Sequence, residues 1–456
     1  MKGSRSRTPV ARLCFATLLS LSLVLALTGS AWAEKILLKA DGWEVFTDGR
    51  VAGFVSQVHG DGDPVGAPGA SVTTYPDGMM VRDTPQGGGW LAATTDGNTN
   101  ANPPVQGTVN QTRIRSGFLG NQLNFGVRGQ VTPYTTVTGY VSIWAFIEST
   151  GQNKALINPA DVRQGYAKIE GPWGSFLAGR TRTLFSRGAT DIDVLYAHRW
   201  GVGFPGAIDS NGPSQGMVGF GVMGSGFGAA LIYGTPVLGG FHLNIGAFDP
   251  VTLSGSGLTR TGYPRAEAEA TFERTFSTSG KIVLFVNGVY QNVYKDGFCD
   301  PATNGGPCET TSAGVGYGGR FEVGPVHIGL AGHYGQGLGL NYALENSPGA
   351  FDIQGNPRII DGYYGQSQFV LGRFDLFAGW GITRIFLTTL DKAGATGTDP
   401  SPNSVIKYQM GTNAGVVFNM TPNVHFDLEY FRAQAAWWLG EKQVLNTGAF
   451  GMTFNW

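Results

Sequence analysis

Phe374-Asp375-Leu376-Phe377-Ala378-Gly379-Trp380-Gly381-Ile382 carries apolar or aromatic residues at every even position, with Asp375, Gly379 and Gly381 among the odd ones. A period of two is the signature of a strand with two unlike faces, because successive side chains point to opposite sides. The same pattern spreads outward from this stretch. Val424, Phe426, Leu428 and Tyr430 alternate with His425, Asp427 and Glu429, and Phe450, Met452, Phe454 and Trp456 share one face at the C-terminus. Val137, Val141, Ile143 and Ile147 repeat it, and Glu267, Glu269 and Glu273 oppose Ala266, Ala268, Ala270 and Phe272. Predicted strands cover 44–58, 111–131, 136–148, 161–170, 175–182, 214–234, 240–249, 263–276, 281–294, 312–323, 325–337, 361–372, 374–387, 405–419, 424–437 and 443–456. These are about 16 strands of the transmembrane-barrel length class.

The links between them alternate in length. Turn-sized links such as Thr132-Pro-Tyr-Thr135, Gly171-Pro-Trp-Gly174 and Met420-Thr-Pro-Asn423 are interleaved with long polar stretches near 59–110, 183–213, 295–311 and 338–360. An all-β, transmembrane antiparallel barrel with short turns at one rim and long loops at the other has this layout. Closure follows from the solvent, since in hydrocarbon every backbone N–H and C=O needs an internal partner and a closed sheet has no edge. Only 14% of the 456 residues are charged and 72 are glycine, with mean hydropathy at −0.04, as expected when one face meets lipid and the other water. A secreted propeller or sandwich also alternates, but no blade-length repeat is present.

Residues 1–33 read as a cleaved secretory signal peptide. Lys2, Arg5, Arg7 and Arg12 precede an apolar run from Leu13 to Leu27, and Ala31-Trp32-Ala33 forms the small-x-small cleavage pattern. The barrel domain then spans 34–456. Taking four of 31 basic residues and none of the 32 acids leaves a net charge of −5, which disfavours a nucleic-acid partner. Cys299 and Cys308, the two cysteines of the mature chain, lie close together in a Gly/Pro/Asn-rich segment and suit a small disulfide loop in an oxidising compartment.

No motif for catalysis, cofactor or metal emerges. Gly314-Val-Gly316-Tyr-Gly318-Gly319 and Gly219-Phe-Gly221-Val-Met-Gly224 match the dinucleotide-binding pattern by spacing, but neither opens a helix after a strand. The six histidines show no ligand spacing, and the chain reads as a non-enzyme. The basic residues are informative by position: Arg50, Arg113, Arg115, Arg128, Arg180 and Arg182 all come from the first five strands, where neighbours such as Val51, Ile114, Val127 and Leu177 take the other face. An arginine on the lipid face costs about 2–4 kcal/mol at mid-membrane, so these are expected in a wet lumen or at a rim. Asp191, Asp193 and Asp209 follow in the next long connection. If that loop folds inward, a cationic wall faces an anionic loop across the pore.

Val162-Arg-Gln-Gly-Tyr-Ala-Lys-Ile-Glu-Gly-Pro-Trp-Gly-Ser-Phe-Leu-Ala-Gly-Arg180 resembles the strand–turn–strand before the constriction loop of Gram-negative general diffusion porins. Gly49-Arg50, Asn124-Phe-Gly-Val-Arg-Gly129 and the terminal Trp456, with Phe454 beside it, are similar to that family's first strands and membrane-insertion C-terminus. The resemblance implies a homotrimer of 16-stranded barrels in the bacterial outer membrane, with the loop after strand five folded into each lumen. It also implies Arg50, Arg128 and Arg180 on the basic wall, with Asp191 and Asp193 as loop acids by position. The tip departs from the family's usual Pro-Glu-Phe-Gly-Gly, offering Gly203-Phe-Pro-Gly206. The expected function is passive diffusion of small hydrophilic solutes and ions. The alternatives are a substrate-specific channel for sugars or anions, with Tyr140 and Trp144 along a binding track, and a barrel-anchored adhesin using loop 59–110.

Overall fold

A computed structural model describes residues 34–61, 108–115, 119, 121–145, 161–193, 216–251, 258–260, 262–277, 280–295, 309–344, 350–352, 354–393, 405–438 and 442–456. The elements run β1 (Lys35–Ala40), β2 (Trp43–Asp61), β3 (Thr108–Arg115), β4 (Asn121–Thr132), β5 (Thr135–Ala145), β6 (Asp161–Gly171), β7 (Gly174–Arg182), α1 (Arg187–Ile192), β8 (Phe227–Gly234), β9 (Phe241–Phe248), β10 (Leu258–Arg260), β11 (Arg265–Ser277), β12 (Gly280–Lys295) and β13 (Glu309–Val323). They continue with β14 (Val326–Gln336), β15 (Ile359–Leu371), β16 (Phe374–Phe386), α2 (Thr389–Lys392), β17 (Ile406–Asn419), β18 (Val424–Trp437) and β19 (Lys442–Asn455). Among the described residues no helix is long and apolar enough to cross a membrane.

The sheet is a closed antiparallel barrel of sixteen strand positions. β3 and β4 share one position, pairing respectively with Phe54–Asp61 and Trp43–Arg50 of β2. β10 and β11 share another against β12, and β1, on Trp43–Thr47 of β2, shares a third with β19. Closure is made by β19 on β2, in register from Leu445↔Gly60 to Asn455↔Arg50. Trp456 completes this seam: its backbone exchanges two hydrogen bonds with Gly49, and its indole occupies the space a side chain at 49 would need.

The two faces have the expected chemistry. Val51, Val55, Leu376, Trp380, Leu428, Phe450, Met452 and Phe454 are exposed on the outside, while Ser56, Asn124, Asp375, Thr383, Asn413 and Thr447 are buried on the inside. The outer face is the apolar band that lipid requires. Toward the long-loop rim, Tyr290, Tyr294, Tyr317, Tyr334, Tyr363, Trp380 and Tyr430 stand exposed on β12 to β18. On β2 to β7 the same level carries, among the described residues, no Tyr or Trp on the outer face.

Three expectations are corrected. Residues 111–131 form two strands, β3 and β4, separated at 116–120. Of 214–234 only Phe227–Gly234 is strand. Met217, Val218, Phe220, Val222 and Met223 are nonetheless buried, and they lie inside the barrel. Gly219 and Gly221, at φ +83° and +97°, turn the chain out of the extended conformation, so this apolar run packs as a loop. Finally, β1 precedes the predicted first strand, joined to β2 by Asp41-Gly42 with both residues at positive φ, the geometry of a tight hairpin turn.

Candidate functional site: the lumen and its inserted loop

After β7, the fifth strand position, the chain turns into the barrel. The amides of Leu184 and Phe185 donate to Glu267 Oε2 at 2.7 and 2.9 Å, and Glu267 is ion-paired to Arg265 at 2.8 Å, both side chains almost fully buried. α1 then lies on the wall of β12 to β14, where Gly188 fits beneath the Phe285 ring and Ile192 sits over Gly329. Asp193 Oδ2 accepts the amide of Met217 at 2.8 Å, joining the inward and returning arms of the loop.

The returning arm covers the next part of the wall. Gly221 donates to Thr383 Oγ1 at 2.9 Å, Gln409 Nε2 donates to the Gly219 carbonyl at 3.1 Å, and Phe220 meets Phe431 edge-on with centroids 5.0 Å apart. Glycines make the close approach possible: a Cβ at Gly381 would lie 2.0 Å from the Phe220 carbonyl oxygen. The β14–β15 connection also folds in, with Leu338, Leu340 and Leu344 buried and the Asn341 carbonyl accepting from Gly224 at 2.7 Å. It is tied at its far end by Arg358, which forks onto Asp391 with two 2.8 Å bonds. Burial opposes charge on Asp391, but the Arg358 fork and the Thr388 amide and hydroxyl outweigh it and hold the carboxyl below its usual range.

These contacts cover the lumen wall over β12 to β18 and leave part of the wall of β4 to β6 open to solvent, although Gln122, Asn124 and Ser142 on it are buried. Thr383, Gln409 and Asn413 have 0–1% exposure, whereas Thr138, Tyr140, Gln164, Tyr166 and Lys168 remain partly exposed. The inner surface is rich in charge, and many of the charges are matched: Arg128 with Glu34 and Glu44, Arg163 with Asp161, Lys168 with Glu170, Arg182 with Asp191, Arg187 with Glu269, Lys281 with Glu273, and Arg320 with Glu322. Opposed pairs of this kind give a strong local field and a small net one.

The sequence-predicted site residues are dispersed rather than gathered into one ring. Arg182 and Asp191 do meet, at 2.8 Å, and Arg182 also donates to Thr190 and Ser225, stitching the two arms of the loop. Asp193 is buried and holds Met217. Arg50 is buried at the β2–β19 seam, 3.5 Å from Thr453 Oγ1. Arg128 sits near the short-turn rim, its guanidinium 4.8 Å over the Phe46 ring. Arg113 and Arg115 are paired in backbone register with Ser56 and Phe54. Arg180 takes the opposite phase to the one read from the sequence: it is exposed and shares its strand face with Phe176, the outer one. The reason is that Leu177 points inward onto a local apolar cluster of Leu184, Ala230, Ile232 and Phe248, so hydrophobicity does not mark the lipid side on β7. Asp209, Cys299 and Cys308 lie outside the described residues, as do residues 1–33. Phe454 stands on the outer face, stacked 5.8 Å from Trp456.

Sequence reasoning missed the loop's anchors. Glu267 and Glu269 were placed on one face, but nothing marked them as partners of Leu184, Phe185 and Arg187. It also missed Phe46 and Tyr166, which join Tyr140 along the open wall with centroids 6.4 and 5.4 Å from its ring. Trp144, expected on a track, is buried: it donates to Ser142 Oγ and is covered by Arg163 at 5.1 Å.

This architecture, a sixteen-position barrel with the loop after the fifth strand folded inside, is the fold of the outer-membrane porins. No protein-family model matches the sequence, and no curated protein matches it. Solved structures do share the fold. The outer membrane channel DcaP of Acinetobacter baumannii is 15% identical, with 92% of this chain and 99% of that chain aligned at a TM-score of 0.61. An anion-selective porin from Comamonas acidovorans is 10% identical, with 91% and 100% covered at a TM-score of 0.57.

Proposed function

We propose that the chain forms a passive, water-filled channel for small hydrophilic solutes and ions across a bacterial outer membrane. The observation that carries this reading is the asymmetry of the lumen: the inserted loop covers the wall from β12 to β18, while Arg128, Thr138, Gln164 and Lys168 on β4 to β6 stay partly exposed. Two solved structures of like fold are described as an outer membrane channel and an anion-selective porin, which supports the reading. Residues 1–33 act as the export signal and are removed. Among the described residues the outer face of β2 to β7 carries no Tyr or Trp toward the long-loop rim, which favours that sector as a contact between copies in a homotrimer, because aromatic girdles belong where a barrel meets the lipid interface.

The charge pairing of the inner surface leaves little net field to exclude ions of either sign, so selectivity is set mainly by the width left beside the loop. The experiment is electrical. Purified mature protein in a planar bilayer is expected to give discrete conductance steps that rise in proportion to bulk salt conductivity. Membrane insertion without steps would rule the proposal out.

A further inference from the structure

We infer that one row of side chains on the open wall is a binding platform for neutral saccharides in transit, a reading that rests on the channel proposed above. The register aligns Phe46 with Gly126, Gly126 with Tyr140, Tyr140 with Tyr166, and Tyr166 with Gly179, so these five residues form one band across β2, β4, β5, β6 and β7. Three rings occupy the band. Phe46 and Tyr140 are inclined by 27° and Tyr140 and Tyr166 by 31°. The first glycine is required by the rings, since a Cβ at Gly126 would fall 2.0 Å from Phe46 Cζ. Gly179, at φ +137°, ends the band without a side chain, since a Cβ there would lie 2.4 Å from the Gly165 carbonyl oxygen. Phe46 is buried at 3% and packs against Tyr140, and Tyr140 and Tyr166 are themselves partly exposed.

The rows on either side are polar. Toward the short-turn rim the band is bordered by Glu44, Arg128, Thr138 and Lys168, and toward the long-loop rim by Asp48, Asn124, Ser142 and Gln164, of which Asn124 and Ser142 are buried and Asp48 and Gln164 partly exposed. Asp48 accepts from Asn124 Nδ2 at 2.5 Å and from the Tyr140 hydroxyl at 3.4 Å, which fixes the ring in place. An aromatic strip bounded on both sides by donors and acceptors matches the two surfaces of a sugar ring: C–H faces that pack on π-clouds, and a rim of hydroxyls that hydrogen-bond. Charge argues against an anion. Arg128 is held by Glu34 and Glu44, and Lys168 by Glu170, so an anionic solute would have to displace a carboxylate already in place, while the Asp48 carboxylate is engaged by Asn124 and the Tyr140 hydroxyl.

The test is block of single-channel current by maltotriose, with a polyethylene glycol of similar mass, benzoate and tetraethylammonium as comparison solutes. Wild-type channels are expected to show saturable block by maltotriose alone. Tyr140→Leu and Tyr166→Leu are expected to weaken that block about tenfold, equivalent to about 1.4 kcal/mol. Tyr166→Phe keeps the ring and is expected to keep the block. Open channels that maltotriose does not block, or blocks no better than the polyethylene glycol, overturn the platform and leave the channel standing. Block by benzoate or tetraethylammonium in place of the saccharide overturns the assignment of a neutral solute. Equal block in wild type and both leucine variants overturns the placement. The wild-type comparison decides the matter even where a leucine variant does not insert.

Discussion

Glu267→Ala is expected to raise single-channel conductance by about twofold and to broaden its distribution, because the inserted loop loses the anchor that bends it into the lumen. One carboxylate oxygen of Glu267 takes both the Leu184 and the Phe185 amide at the point where the chain leaves β7. Hydrogen bonds to a charged group are worth about 1.5–3 kcal/mol each. Removing the carboxylate also strips a 3%-exposed Arg265 of a buried ion-pair partner, a change that costs about 3–5 kcal/mol. The loop arm is then free to sample positions away from β12 to β14, and the cross-section open to ions grows. Glu267→Gln keeps an oxygen for the amides and is expected to fall between the two. Conductance histograms that coincide for wild type and Glu267→Ala would mean the loop is held by its other contacts, Asp193 on Met217 and Thr383 on Gly221 foremost.

Gly451→Val is expected to act on closure itself. Gly451 pairs with Phe54 across the β19–β2 seam, and the Phe54 ring, 1% exposed, lies over it: a Cβ there would sit 1.6 Å from Phe54 Cδ1. The ring is enclosed by the wall and cannot swing away without a cost of about 1–3 kcal/mol for overpacking. Because this seam joins the last strand to the first, the cost falls on the step that removes both sheet edges. A sharp fall in the heat-modifiable, folded band on gels without boiling is the expected readout. Phe54→Ala in the same chain returns the space and is expected to restore part of the folded fraction. A Gly451→Val protein that folds as wild type would show that the seam adapts more freely than its packing implies.

Much of the barrel was legible because its two solvents write opposite residues on alternate positions. Phe374 to Ile382, Val424 to Tyr430 and Phe450 to Trp456 each carry that record, and their strands stand where alternation placed them. What alternation cannot encode is which wall a side chain meets once something fills the lumen. Met217, Val218, Phe220 and Val222 are as apolar as a lipid-facing strand, yet their surroundings are Phe431, Gly381 and Gly411, brought together only by the closed sheet. Arg180 was misread for the same reason, since Leu177 found apolar neighbours inside. Two signals were available in the chain. The cluster Gly216, Gly219, Gly221, Gly224 and Gly226 marks a segment that bends too often for a strand, and Asp41-Gly42 between short apolar runs marks the extra hairpin. The aromatic row could not be found from sequence, because Phe46, Tyr140 and Tyr166 are joined by register alone.

The central claim is that solutes pass along β4 to β6 beside a loop that seals the opposite wall, and substituted-cysteine accessibility tests it most directly. A membrane-impermeant, charged thiosulfonate is added to open channels of wild type, Thr138→Cys and Asn413→Cys. Thr138 lies on the partly exposed wall, and Asn413 lies on β17, on the covered wall, at 1% exposure. The account predicts that current falls on reagent addition in Thr138→Cys and is unchanged in Asn413→Cys and in wild type. Block at Asn413→Cys with none at Thr138→Cys would place the water path on the other side of the barrel and contradict it.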